Sequence, residues 1–243
     1  MKTALAAFAL LLAISLPARA QGGICHYWSI EACTDSCERN FANDPAGYDE
    51  CINLCADSCG EREDPLEPFP KNCPIVIDLG NGTLRFTSAA DGVLFDIDGD
   101  GQRDALAWTE PESPDGFLAL DRNGNGTIDS GLELFGNYTA QPRSAQPHGF
   151  RALAVYDESG DGAISASDAV FGALRIWIDA NHNGRSEPQE LATLQAHGIR
   201  SIDLRYVQAQ RRDRYGNRLR YKSGVDRNGA RTSAVDVFFT ELQ

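Results

Sequence analysis

The twelve residues DANHNGRSEPQE, from Asp179 to Glu190, decide how the larger part of this chain is read. They set Asp179, Asn181 and Asn183 at positions one, three and five, Gly184 at six, Arg185 at seven, Glu187 at nine and Glu190 at twelve. A calcium loop of the EF-hand kind takes oxygen ligands at these positions, with a backbone carbonyl at the seventh and a bidentate carboxylate at the twelfth. Arg185 is therefore expected to offer its carbonyl and Glu190 to close the loop. Glycine at six allows the positive φ that the turn requires.

Three further stretches carry the same register. Asp157, Ser159, Asp161, Gly162 and Ala163 repeat positions one, three, five, six and seven, with Ile164 at eight and a shorter carboxylate, Asp168, in the closing place. Asp121, Asn123, Asn125, Thr127 and Asp129 follow it through position nine, but Glu133 falls one place late, so that loop has to bulge to bring Glu133 in. Asp96, Asp98, Asp100, Gln102 and Asp104 match as well, but Ala107 stands where the closing acid should be. Water or another segment must complete that loop.

One such stretch alone reads as an ordinary acidic turn, because Asp, Asn and Gly are turn residues. Four with glycine at the same place leave little room for that reading, and Ca2+ is the expected cofactor. Neutral Asn and Ser ligands point to affinities nearer the extracellular range of roughly 10⁻⁴ to 10⁻³ M.

Upstream of the loops the composition changes. Met1-Lys2, an apolar run over residues 4–16 and Pro17-Ala18-Arg19-Ala20 read as a secretory signal, residues 1–20, so a secreted or periplasmic location is expected. The run is shorter than the roughly 20 residues that span a bilayer, and no membrane span is expected elsewhere. Lys2 and Arg19 leave with the signal, which takes the formal charge from −13 to −15. Such a surface repels nucleic acid and attracts cations.

All seven cysteines lie between Cys25 and Cys73. Cys33 and Cys37, then Cys51, Cys55 and Cys59, recur at intervals of four, which sets each group on one face of a helix. Residues 21–60 are thus expected to form a cysteine-rich helical hairpin. Antiparallel packing about the turn at Asn43 to Gly47 would pair Cys33 with Cys55, Cys37 with Cys51 and Cys25 with Cys59, although spacing does not prove a connectivity. An oxidising compartment favours disulfides over a thiolate metal site. Cys73 is the odd thiol. Residues 61–73, charged and rich in proline, read as a linker, and residues 74–243 as the calcium-binding module.

In that module Ile75-Val76-Ile77, Leu84-Arg85-Phe86 and Gly92-Val93-Leu94-Phe95 read as short strands. Residues 169–178 have a helical pattern, with Val170, Leu174 and Trp177 on one side. Ile202, Leu204 and Tyr206 alternate with polar residues, as do Leu219 and Tyr221, and Val235 to Phe239 closes the chain as a strand. The expected fold class is α+β: short strands and hairpins with EF-hand-like calcium loops and short helices, preceded by the disulfide-stapled hairpin.

The run DRNGNGTIDSGLELFGNYT (residues 121–139), with VLFDIDGDGQRDALAW before it and RIWIDANHNG after it, resembles the calcium-dependent self-processing module of FrpC-type RTX proteins. The resemblance covers roughly residues 74–239 and leaves out the cysteine module. The glycine-rich repeats of RTX toxins are not found. It implies a module folded by calcium, in which an Asp-Pro bond ahead of the first strand is cut by the Asp side chain through an anhydride that water or lysine opens. The matching dipeptide here is Cys73-Pro74, without that carboxylate, and a thiol cannot form the same anhydride. Asp64-Pro65 lies nearby in the linker and reads more simply as a flexible, acid-labile dipeptide. Asp44-Pro45 reads as the hairpin turn.

No Gly-x-Ser-x-Gly elbow, His-Glu-x-x-His helix or phosphate-binding glycine loop occurs. His26, His148, His182 and His197 read as isolated surface or core histidines, and Trp108 and Trp177 as core anchors. Arg211, Arg212, Arg214, Arg218, Arg220 and Lys222 read as the solvated face of a hairpin, with a surface polyanion as the rarer alternative. The expectation is an exported calcium-binding protein with no catalytic residues, structural or bound to an unidentified partner. Calcium-triggered cleavage at Asp64-Pro65 is the alternative.

Overall fold

The computed structural model describes residues 73–242 apart from 81 and 145. The chain divides into two compact units, Met1–Glu63 and Asp64–Gln243, and the described residues belong to the second. The signal peptide, the cysteine-rich hairpin with its disulfides, and the linker up to residue 72 lie outside the described residues.

The fold starts from strand β1, Ile75–Ile77, whose three residues are all fully buried. Successive side chains of a strand point to opposite faces. Ile75 and Ile77 enter one core with Leu118, Phe135 and Phe150, while Val76 enters a second core with Trp108, Phe117 and Trp177. A strand covered on both faces has to be apolar throughout, which is why Ile-Val-Ile shows no alternation.

The other strands are β2 (Val93–Phe95), β3 (Asp104–Leu106), β4 (Gly116–Ala119), β5 (Ala163–Ser165), β6 (Arg175–Trp177), β7 (Leu191–Thr193), β8 (Ile199–Asp203), β9 (Val207–Arg212), β10 (Arg218–Arg227) and β11 (Ala230–Phe238). Nine strands form one antiparallel sheet, ordered β5-β8-β10-β11-β1-β4-β6-β7 with β9 also on β10. The β2–β3 pair stands apart as a two-stranded ribbon. Chain-distant β1 and β11 meet at the centre, with Ile75 opposite Asp236 and Ile77 opposite Ala234.

The described residues are therefore mostly β, a curled antiparallel half-barrel sheet, and the α+β expectation is corrected. Among the described residues, helix is confined to α1, Gly149–Ala154, and to 3-10 turns of three or four residues. The expected helix over residues 169–178 divides into a 3-10 turn at Ala169–Gly172 and strand β6. The spacing of Val170, Leu174 and Trp177 fits a helix, but Ile176 pairs with Leu118 and Trp177 with Phe117 across β4. Sheet pairing with buried neighbours outweighs the weak local preference of so short a segment. Around Phe86 only an isolated bridge to Thr109 forms.

Candidate metal centre

Each acidic loop is built first from its own side chains. In residues 96–104, Asp96 accepts the amides of Gly99 (2.8 Å) and Gly101 (3.0 Å), Asp98 that of Asp100 (3.1 Å), and Asp100 that of Gln102 (2.7 Å). The same ladder recurs after β4. Asp121 holds Gly124 and Gly126, Asn123 holds Asn125, and Asn125 holds Thr127. After α1, Asp157 holds Gly160 and Gly162, and Asp161 holds Ala163. After β6, Asp179 holds Asn183 and Gly184, and Asn183 holds Arg185. The carboxylate at position one thus folds the loop back on itself, and the residue at seven is positioned through the side chain at five.

The glycines at position six, Gly101, Gly126, Gly162 and Gly184, have φ of 89°, 84°, 82° and 65°. His182 takes position four of its loop at φ 55°, where the other loops have glycine. A non-glycine residue in this region is uncommon. The His182 ring also meets the Asp91 carbonyl at 3.0 Å.

The closing carboxylates draw the two ends of three loops together. Glu190 accepts the amides of Ala180 (3.0 Å) and Glu187 (3.3 Å), positions two and nine. Asp168 accepts those of Ser159 and Ser165, positions three and nine, and these donors hold its carboxyl below the ordinary range. Glu133, one residue late, does the same for Arg122, Asn123 and Asp129. A 3-10 turn at Gly131–Glu133 takes up the additional residue, leaving Glu133 only 3% exposed.

Side chains at positions three, five and nine converge in two of the loops. Asn125, Thr127 and Asn123 surround the Asp129 carboxylate and lower its pKa, Asn125 contributing most. Asn183 and Asn181 reach Glu187 in the same way. In the first loop, Asp96, Asp98 and Asp100 bring one carboxylate oxygen each within 4.8 Å of one another. Asp104 is pushed up by desolvation and then by Asp98, Asp100 and Asp96. Tyr138, pushed up to about 12 by burial and then by Asp98, Glu241 and Asp104, shows which segments stand around the loop that lacks a closing acid. Every candidate ligand in these loops offers oxygen, which fits a hard divalent cation such as Ca2+ and not a metal selected by thiolate or imidazole.

Tertiary contacts join three of the four loops. Asp96 bridges Ser130, and Gly131 donates to the Asp96 carbonyl at 2.8 Å. Ile128 and Ser186 connect the second loop to the fourth. Gly184 packs against Val93 and Leu94 of β2 so closely that a Cβ would lie 2.7 Å from the Leu94 carbonyl. The loop of Asp157 stands elsewhere, carried on β5 at one edge of the sheet order, with Gly162 bound to Leu204.

A second group of polar residues escaped sequence reading. Asp236 is fully buried between Val235 and Val237 on β11, and burial lifts its carboxyl to about 7. One of its oxygens takes the Gly149 amide and the other has no hydrogen-bond partner. Around it lie the Cys73 thiol, raised by burial and then by Asp236, and His148, lowered to about 3 by burial and the cations Arg151 and Arg220. The sequence held one signal, a lone acid in the apolar run VDVFF.

Among the described residues, no helix is long and apolar enough to cross a membrane. The SPM domain family matches residues 75–240, from β1 to just beyond β11. The chain is also 39% identical over 165 residues to the iron-regulated protein FrpA of Neisseria meningitidis serogroup C. That match takes in 67% of this chain but only 15% of FrpA. With the family match spanning all eleven strands of the described residues, the chain belongs to the SPM domain family.

Proposed function

We propose that this is an exported calcium-binding protein whose main domain folds on calcium and serves a structural or partner-binding role. The observation that carries the reading is the closure of the loops. In three of them a carboxylate at the far end holds an amide at the near end, and in the loop of Asp96 three acidic oxygens crowd within 4.8 Å. Carboxylates this close repel one another without a cation, so binding free energy becomes folding free energy. Calcium present at 100 times its dissociation constant adds about 2.7 kcal/mol per site. The scarce calcium of a cell interior would leave the module loosely folded until export. The resemblance to FrpC-type modules and the kinship with FrpA support calcium as the ion.

The test compares chelator-stripped and calcium-loaded chain by far-ultraviolet circular dichroism and chemical denaturation. A gain of β-sheet signal and of stability on adding calcium, unmatched by magnesium, is the expected result. A spectrum and midpoint indifferent to calcium would sink the reading.

A further inference from the structure

We propose that the cleft lined by β9, β10, β11 and the turn after β1 is a binding site for phosphate monoesters, held by Arg205, Lys222, Arg227 and Arg231. The site uses none of the candidate calcium ligands and goes beyond the calcium reading.

The cleft has a volume of about 880 Å³, and the four cations line it together with Val207 and Asp78. A volume of this order suits a small organic molecule and exceeds what a lone inorganic ion fills. The cations gather here in a chain whose formal charge is −13. Two acids stand against them. Asp78, only 3% exposed, keeps its carboxylate on the amides of Gly80 (3.1 Å) and Gly82 (3.3 Å), and Asp203 is held by Arg205 and Arg231. Four positive charges against two negative leave a local formal charge of +2. Asp226, also on β10, turns its carboxylate to the Gly229 amide at 2.9 Å and does not line the cleft. A phosphate monoester carries about −1.5 to −2 at pH 7 and matches that charge better than a single carboxylate does.

The arginines are held in place before any ligand arrives. Asp203 accepts Arg205 Nε at 3.1 Å, Arg205 Nη2 at 3.0 Å and Arg231 Nη2 at 3.3 Å. One carboxylate thus fixes two guanidinium groups, and neither Nη1 has an acceptor among the described residues. The hydrogen bond from Arg205, ahead of every other cause, holds the Asp203 carboxyl below its ordinary range, so the clamp stays charged at neutral pH. Arg231 stands opposite Asp226 on β11, yet its guanidinium lies over Gly224, where a Cβ would overlap Nη2, Nε and Cζ. Glycine inside a ten-residue strand weakens the strand and marks a close approach. An exposed ion pair returns little stability, and the Arg231 side chain is 74% exposed. Gly224 is therefore explained by the room it gives a cation and not by the strength of the strand.

The other two cations keep their charge uncancelled. Arg227 donates through Nε to the His197 carbonyl at 2.9 Å and through Nη1 to the Leu79 carbonyl at 2.7 Å, neutral acceptors that orient it. Lys222, exposed on β10 opposite Val207, makes no ion pair among the described residues. Arginine forks take phosphate oxygens two at a time, and lysine adds a mobile point charge. Val207, 64% exposed beside Lys222, offers the group that carries the phosphate an apolar surface.

The test titrates glucose 6-phosphate into the calcium-loaded full chain by calorimetry, with glucose and glucuronate as comparisons and circular dichroism reporting the fold. Co-sedimentation with phosphatidylcholine vesicles, with and without phosphatidic acid, asks the same of a lipid-borne phosphate. Saturable binding of a phosphate probe is expected, and the probe that binds names the source. Arg231→Ala and Lys222→Ala, both on exposed side chains, should each weaken it roughly tenfold or more. Gly224→Ala retains every charge but displaces the Arg231 guanidinium, and it should weaken binding as well. Arg214→Ala, at the hairpin tip beside Glu110, should leave binding unchanged. A folded chain that binds neither phosphate probe overturns the proposal. So does glucuronate binding as tightly as glucose 6-phosphate, binding unchanged in both Arg231→Ala and Lys222→Ala, or an equal loss in Arg214→Ala, the sign of diffuse charge attraction.

Discussion

The Ile128 amide donates to Ser186 Oγ at 2.6 Å, and the same oxygen lies 3.3 Å from the Ile128 carbonyl, so that the eighth residues of two acidic loops meet. Both residues are buried. The hydroxyl thus serves the amide and the carbonyl of a residue far away in sequence and ties the loop of Asp121 to the loop of Asp179. Ser186→Ala leaves two buried backbone groups unserved, which costs about 1–3 kcal/mol. Denaturant midpoints in calcium should fall accordingly. Calcium titrated into the variant should bind to these two loops with less cooperativity, as followed by calorimetry.

Glu133 closes its loop by holding three amides at 3.1, 3.4 and 2.8 Å. Glu133→Ala removes a charged acceptor from a site 3% exposed, with an expected loss on the order of 3 kcal/mol. Calorimetry should count one bound calcium fewer than in the unaltered chain. Glu133→Asp, one methylene shorter, should retain part of the stability, since Asp168 closes its own loop with the same group.

Gly131 tests how tightly the first two loops are joined. A Cβ there would lie 1.9 Å from the Ile97 carbonyl oxygen, a backbone atom that cannot step aside. Gly131→Ala should cost about 3 kcal/mol or more, in the upper part of the range for overpacking. Gly124→Ala meets nothing within 4 Å but has φ of 74°, so its cost should be only about 1–2 kcal/mol, the left-handed penalty. Paired urea melts in calcium measure both. Equal losses would show that the two loops do not press on each other at Gly131.

The buried pair Asp236 and His148 gives stability two opposed pH dependences. Asp236 has a folded pKa near 7, above its ordinary 3.8, so its contribution is complete below about 4 and is lost as the pH rises through 7. A rise to about 7 in a fully buried carboxyl corresponds to something on the order of 4 kcal/mol. His148 has a folded pKa near 3, below its ordinary 6.5, so it favours the fold above about 6.5 and that contribution is lost as the pH falls toward 3. The two windows overlap between about pH 4 and 6.5, so Asp236→Asn should leave a stability that rises with pH there, and His148→Phe one that falls. Denaturation midpoints measured at about pH 4, 5.5 and 7 distinguish the two.

Loop geometry was legible in the sequence because it is local. Asp121 reaches Gly124 and Gly126, and Asp179 reaches Asn183 and Gly184, over three to five residues, which spacing can express. The bulge that brings in Glu133 followed from counting. The surroundings of the loops were less legible. Residues 169–178 carry a pattern that a helix and a buried strand share, and only Phe117 and Leu118 across β4 decide between them. Asp236 lay inside an apolar strand where one acid gives no periodicity to follow.

The sequence by itself determined where the acidic loops and their positive-φ glycines fall, since those depend on neighbours a few residues apart. Only the tertiary structure decided that the loops of Asp96, Asp121 and Asp179 join while that of Asp157 stays on β5, and that Cys73 faces Asp236. Those meetings depend on which strands pair. Pairing is selected by the total apolar surface that the sheet buries on both faces, which no short stretch of sequence contains.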